Sequence, residues 1–238
     1  MRILSIMVFC SALTLLVSCK KSKSSTSVCN IAAIQYDDGE SYSFTYDAQG
    51  RLQTEKYVNS TSYTNMNFQY GTNLAVRVST DELGNSWKDS LFINSDSSVA
   101  KDLFSRPSDS AKAAYTYGSG SEVQYESYQS YGTTVGPVYY YNYTFANGDM
   151  TIDGAGDTYT YYTDEPYQVG DYTQLTQFEE YGVGNFVTKS AHLVKSMSNR
   201  PGENVTFAYN FDKSGNITSI QLGGSATEEI DIIYACQN

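Results

Sequence analysis

Histidine is almost absent from this 238-residue sequence, in which His192 stands alone. A single imidazole excludes the two-histidine zinc sites and leaves any serine or cysteine triad with one candidate base. No Gly-x-Ser-x-Gly elbow is present to supply the nucleophile. Basic residues are also few, 15 Lys and Arg against 26 Asp and Glu, for a net charge of -11. Such a surface repels phosphate backbones, which argues against nucleic acid as a partner. Long apolar runs are missing except for one, Ile3 to Val17, which is shorter than the roughly 20 residues a spanning helix needs. What the chain does have is tyrosine, 23 of them, whose rings can be buried while their hydroxyls stay hydrogen-bonded.

The apolar run follows Met1-Arg2 and ends at Leu16-Val17-Ser18-Cys19. A short positive start, an apolar stretch of this length and a small residue at its end describe a removable export leader, residues 1–18. Leu16-Val17-Ser18-Cys19 resembles the lipobox of bacterial lipoproteins, in which cleavage falls between Ser18 and a lipidated Cys19. That resemblance implies an acylated amino terminus, and more than one acyl chain makes anchoring stable. Residues 19–28 then form a flexible tether, Lys20-Lys21-Ser22-Lys23-Ser24-Ser25-Thr26-Ser27 being too polar to fold. Lys20 in place of Asp argues against inner-membrane retention. A basic rather than acidic run after the cysteine favours an outer-membrane lipoprotein facing the periplasm over one exported to the surface. With Cys10 in the leader and Cys19 carrying lipid, Cys29 and Cys236 remain at opposite ends of the domain. In an oxidising compartment they form a disulfide if the first and last strands are neighbours; otherwise they are two separate buried thiols.

From residue 29 to 238 the pattern is that of one β domain. Tyr42, Phe44 and Tyr46 alternate with Ser41, Ser43 and Thr45, and Phe207, Tyr209 and Phe211 alternate with Thr206, Ala208 and Asn210. A period of two indicates half-buried antiparallel strands. Turn chemistry recurs at Asp47–Gly50, Tyr70–Asn73, Asn94–Ser97, Gly118–Gly120, Asn147–Asp149 and Asp212–Gly215. Tyr46, Tyr70, Ile93 and Tyr117 precede such turns at spacings of 24, 23 and 24 residues, the length of a hairpin. The expectation is an all-β, up-and-down antiparallel meander of about 12 strands, curled or closed into a barrel. One segment differs. Tyr172, Leu175, Phe178 and Tyr181 have helical spacing, Asp171 and Gln174 are placed like a capping box and Gly182 follows, so a short helix is expected near 171–181, plugging a mouth or covering an open side.

Phe44-Thr45-Tyr46-Asp47-Ala48-Gln49-Gly50-Arg51-Leu52 resembles the YD repeat of Rhs-type proteins, and Tyr209 to Ile217 is a looser copy. Its physical content is a strand, an Asp turn with glycine at the left-handed position, and a returning strand. Two copies are too few for an Rhs shell. The order of lipobox, early YD-like hairpin, late helix and closing YD-like hairpin resembles a Bacteroidetes lipoprotein family of unknown function described as having a porin-like fold. That resemblance implies a barrel and carries no activity with it.

Other candidate chemistry reads as structure. His192, in Lys189-Ser190-Ala191-His192-Leu193-Val194-Lys195, takes a structural or surface role. Asp164-Glu165, Glu179-Glu180 and Glu228-Glu229 are adjacent acids, and neighbours on a strand point to opposite faces, so none makes the paired carboxylates of a glycosidase. Asp149, Asp153 and Asp157 miss the spacing of a calcium loop and read as an acidic turn. Tyr139, Tyr141, Tyr143 and Phe145 share one face of the run Val138 to Phe145, a packed core or a platform for a glycan or apolar ligand. The function expected first is a non-enzymatic, membrane-anchored β domain that binds or scaffolds in the envelope, with no cofactor. An integral outer-membrane barrel or pore is the second reading, and an enzyme acting on envelope glycans the third. Glu55, Lys56, Arg77, Lys88, Asp89 and Glu126, all within expected strands, count against a lipid-facing wall.

Overall fold

The structure, a computed structural model, describes residues 29–94, 99–105, 109–117, 122–131, 134–153, 155–181, 190–200 and 203–236. The leader, the Ser18–Cys19 junction, the tether and Gly182 lie outside these residues. The first eight strands are β1 (Cys29–Tyr36), β2 (Ser41–Tyr46), β3 (Leu52–Val58), β4 (Tyr63–Gly71), β5 (Leu74–Asp81), β6 (Ser86–Ile93), β7 (Val99–Ser105) and β8 (Asp109–Tyr117). They are followed by β9 (Glu122–Tyr131), β10 (Thr134–Ala146), β11 (Asp149–Ile152) and β12 (Thr158–Pro166). Helix α1 (Tyr172–Tyr181) precedes β13 (His192–Arg200), β14 (Glu203–Phe211), β15 (Ile217–Gly224) and β16 (Glu228–Cys236).

Each strand pairs antiparallel with its neighbours in sequence, and β1 pairs with β16, so the meander closes into a barrel. Closure leaves no row of unpaired backbone groups at an edge. The described residues hold 16 strands rather than the expected dozen. Four of the six turn signals read from sequence, at Asp47–Gly50, Tyr70–Asn73, Asn147–Asp149 and Asp212–Gly215, lie at the end of the barrel where Cys29 and Cys236 also lie; Ser95–Ser97 and Gly118–Gly120 lie outside the described residues, and the 24-residue spacing is one full hairpin. The turns at the opposite end, among them those at Asp81 and Asp153, are not among these six. We call the first the tether end and the second the far end. Cys29 faces Cys236 across the seam and is bonded to it, with Cα atoms 4.0 Å apart, which resolves the cysteine alternatives in favour of the bridge.

Alternation decides which side of each strand is buried. Ile34, Phe44, Phe68, Phe207, Ile220, Ile230 and Ile232 point inward and are buried. Ser43, Thr45, Asn65, Asn67, Gln69, Thr206, Asn210, Glu229 and Asp231 point outward from the same strands and are exposed. The charges read as counting against a lipid-facing wall divide by the same rule. Lys56 and Lys88 face outward, whereas Glu55, Arg77 and Asp89 face inward, where Arg77 Nε donates to Asp89 Oδ2 at 2.8 Å. Those three say nothing about the outer wall, and the side chain of Glu126 lies outside the described residues.

Tyrosine fills the interior as its composition foreshadows. The hydroxyls of Tyr46, Tyr70, Tyr161 and Tyr162 donate to the carbonyls of Ile31, Leu52, Met150 and Phe207, at 2.7, 2.9, 2.6 and 2.8 Å. Ile31, Leu52 and Met150 stand beside register shifts, where a broken ladder leaves backbone groups to be satisfied another way.

Helix α1 lies at the tether end and packs into the barrel. Leu175 is fully buried, Tyr172 stacks on Phe207 with ring centroids 4.3 Å apart, and both join the core. Burying a leucine contributes roughly 1.5–3 kcal/mol, enough to hold a ten-residue helix that would be marginal alone. The side chains of Phe178, Glu179, Glu180 and Tyr181 lie outside the described residues. The helix is capped differently from the box read in the sequence. Gln174 Oε1 accepts from Gly170 N at 2.8 Å, one residue earlier than a capping box requires. Asp171 bonds Thr173 through Oδ1, and its other oxygen is taken by the sheet.

Candidate functional site

The densest meeting of polar side chains lies at the tether end, where β11, β12, β13 and β14 meet the start of α1. Asp171, fully buried, is its hub. Oδ1 accepts from Thr173 N at 3.1 Å and from Thr173 Oγ1, and Oδ2 accepts from Val194 N at 3.0 Å and Tyr209 Oη at 3.1 Å. One carboxylate thereby ties the helix to two strands. Burial pushes the Asp171 carboxyl above the usual carboxylate range, opposed by the donors from Thr173, Val194 and Tyr209.

Beside it, His192 is not a free surface imidazole. Its backbone N–H donates to Asp149 Oδ1 at 3.0 Å, and Nδ1 lies 2.9 Å from Asp149 Oδ2. The carboxylate therefore fixes the ring's orientation, as it would in a triad. The nearby hydroxyl is committed elsewhere: Ser190 Oγ donates to Tyr161 Oη at 2.9 Å and accepts from Met150 N at 3.2 Å. Serine, histidine and aspartate thus gather here without a nucleophile aimed at its base. Asp149 is not legible from sequence as the partner of His192, because 43 residues separate them and only the meeting of the first residues of β11 and β13, which flank β12, joins them.

Asp149, Asp153 and Asp157 are dispersed rather than converging on one point. Asp153 Oδ1 accepts from Ala155 N and Asp157 N, both at 2.9 Å, and Oδ2 accepts from Tyr159 Oη at 2.7 Å. Among the described residues no group of three or more His, Cys, Asp or Glu is placed to hold a metal. Asp164 and Glu165 are both exposed, because the ladder to β13 is irregular between Tyr162 and Pro166. Glu228 and Glu229 do alternate, the first half-buried and the second exposed. Burial, then Asp37, Asp38 and Glu40, raise the Glu228 carboxyl. The aromatic run lies in β10, where Tyr143 and Phe145 are half-buried; the side chains of Val138 to Asn142 lie outside the described residues.

Charged residues occur at both ends. The far-end turns and adjoining strand ends carry Asp37, Asp38 and Glu40, then Asp81 and Glu82, then Asp153 and Asp157, and finally Glu203, Glu228 and Glu229. The tether end carries Asp47, Glu122, Asp149, Asp164, Glu165, Glu179, Glu180 and Asp212 together with Arg51, Lys101, Lys195 and Lys213, and the far end also carries Arg200 at the end of β13.

The fold and its polar cluster define a class: a closed antiparallel meander barrel with an apolar and tyrosine-rich interior and a helix packed into one end. No family model matches the chain, and no curated protein matches it. Among solved structures, a porin-like protein from Bacteroides uniformis ATCC 8492 is similar over 87% of this chain and 96% of its own, at 12% sequence identity and a TM-score of 0.40.

Proposed function

We propose that this protein is a lipid-anchored envelope lipoprotein whose barrel stands in water and binds or scaffolds without catalysis. The observation that carries this reading is the sidedness of the strands. A barrel that crosses a membrane needs an outward apolar band about 25 Å tall. Among the described side chains, serine, threonine, asparagine and charged groups alternate outward while isoleucine, leucine and phenylalanine, with a few polar groups such as Glu55 and Asp89, face inward. Acyl chains on Cys19, followed by residues 20–28, supply the attachment, and the basic run Lys20 to Lys23 supports an anchor on the periplasmic side of the outer membrane. The non-catalytic reading rests on the commitment of Ser190 to Tyr161 and of His192 to Asp149. A glycan or an apolar ligand is the class an aromatic strand such as β10 would take.

The test is to express the chain as Cys19→Ala behind a cleavable export signal and fractionate the periplasm. A soluble, β-rich product is expected. A product that still pellets with membranes and needs detergent would overturn the reading and make pore conductance the next measurement.

A further inference from the structure

We infer that the free edge of β10, over residues 138–142, is a strand-pairing surface whose partner is β10 of a second copy of this chain. The inference concerns the barrel alone and holds whichever way the chain is attached to a membrane.

Pairing of β1 with β16 removes the two outer edges of the meander, but strands of unequal length leave another inside it. β10 has 13 residues and β11 has four. β9 accompanies β10 from Thr134 to Thr144, whereas β11 meets it only at Thr144, Phe145 and Ala146. Residues 134–142 are therefore laddered on one side, and among the described residues no strand lies along the other. At about 3.3 Å per residue this edge is roughly 30 Å long.

Where other neighbours part, polar groups take the place of the ladder. β13 and β14 separate toward the tether end beyond Ser196 and Thr206, and there Val194 N donates to Asp171 and Phe207 O accepts from the Tyr162 hydroxyl. β11 and β12 pair only at Ile152 and Thr158, and Met150 N donates to Ser190 Oγ. β12 also outruns β11, but its unladdered part ends in Asp164, Glu165 and Pro166, residue types that keep a foreign strand away. β10 lacks such charges: Thr134 to Ala146 contains no Lys, Arg, Asp or Glu, and Val138 to Thr144 is rich in the tyrosine, valine and threonine that favour strands. Pro137 has no N–H to donate and lies at the register shift between Val135 and Val138, so it confines pairing to Val138 through Asn142.

Charge and symmetry identify the partner. Two copies of a chain with net charge -11 repel each other, and an uncharged strand is where their approach costs least. Antiparallel pairing of identical strands about a two-fold axis sets residues 138–142 of one copy against 142–138 of the other, with no like charges opposed. Because the contact is the same patch on both copies, it closes at two and does not grow into a fibre.

The experiment is cysteine scanning of the full chain in cell envelopes. Cys29 and Cys236 are bonded to each other, so neither competes for a cysteine introduced into β10. Each position from Val138→Cys to Asn142→Cys, singly and in co-expressed adjacent pairs, is oxidised and run on a non-reducing gel. The controls are the parent chain and Asn65→Cys, exposed on the outer face of β4. A covalent dimer is expected at the position or adjacent pair on the axis, and it should be lost when lysine replaces another of the five residues. No dimer above the controls at any position overturns the inference, as does a dimer that survives every lysine. Hydrogen exchange of the purified parent gives a reading that no substitution can disturb, through the amides of residues 138–142 that point away from β9. Protection that fades on dilution is the expected result. Protection independent of concentration shows that the chain covers its own edge, and no protection at any concentration shows that nothing pairs there; either overturns the inference. None of these outcomes bears on the anchoring, which the fractionation of Cys19→Ala decides.

Discussion

Asp171 holds together three elements that no local interaction joins: α1 through Thr173, β13 through Val194 and β14 through Tyr209. An asparagine there keeps one acceptor and turns an N–H toward donors, leaving either Thr173 N or Val194 N unsatisfied in a buried place. Asp171→Asn is therefore expected to destabilise the fold by about 1–3 kcal/mol, read as a lowered midpoint in urea unfolding with an unchanged slope. The tyrosines that bond to carbonyls at register shifts make a smaller contribution each. Tyr46→Phe should cost about 1 kcal/mol, since it removes the partner of Ile31 O while leaving the ring in place. A mutation of Tyr63, whose ring is 40% exposed on the outer face, should cost much less in the same assay. At this scale the sequence showed that His192 is the one imidazole and that Asp171 begins a helix. It could not show that Asp149 orients the first or that Tyr209 and Val194 occupy the second, since those partners arrive from distant strands.

Among the elements, the turns are the most regular feature. At Asp47, Asp81, Asp153 and Asp212 the same device recurs: Oδ1 accepts from the N–H groups two and four residues on, and the aspartate's backbone N–H donates to the carbonyl four residues on. Glycine at the fourth place takes the left-handed conformation that closes the loop, as Gly50 does at φ 75° and Gly215 at φ 89°. Only the copies at Asp47 and Asp212 were legible as a repeat, because their flanking aromatics keep the YD-like pattern; Asp81 and Asp153 share the geometry without that signature. The Asp81 carboxyl is held below its ordinary value by the Asn85 side chain and by backbone donors, and Asp212 likewise by Asn216. At Asp47 desolvation opposes the shift, and the Arg51 side chain and neighbouring N–H groups overcome it. A carboxyl lowered in the fold contributes stability that is complete above its unfolded value of about 4 and is lost as pH falls through its folded value. Unfolding midpoints should thus drop as pH falls below about 4, and the triple variant Asp47→Asn, Asp81→Asn, Asp212→Asn should lose less there than the parent.

For the molecule as a whole, closure depends on the seam between β1 and β16, and the Cys29–Cys236 bridge covers it across a sequence separation of 207. In the chain-entropy model such a loop contributes about 5 kcal/mol at most. The double variant Cys29→Ser, Cys236→Ser should show a clearly lower thermal midpoint, and the parent should show the same loss under reductant. The interior also sets an alkaline limit. Burial raises Tyr70 to about 12, with Arg51 opposing and Asp47 adding; burial and then Glu55 raise Tyr46, and burial and then Asp171 raise Tyr209. A tyrosine raised in the fold contributes stability that is complete below its unfolded value of about 10 and is lost as pH rises through its folded value. An ultraviolet titration should accordingly show one class of tyrosines ionising near 10 and a second appearing only with unfolding at higher pH.

Local pattern alone determined the fold class, the hairpin period, the place of the single helix and the candidacy of Cys29 and Cys236, because alternation, turn residues and cysteine count act within a few residues or a simple inventory. Tertiary structure alone decided that the meander closes, that it has 16 strands among the described residues, that Glu55, Arg77 and Asp89 turn inward, and that Asp149 meets His192. The reason is physical: alternation shows that a strand has two faces, but which face is buried, and what it meets there, depends on how far the sheet twists before its first and last strands find each other.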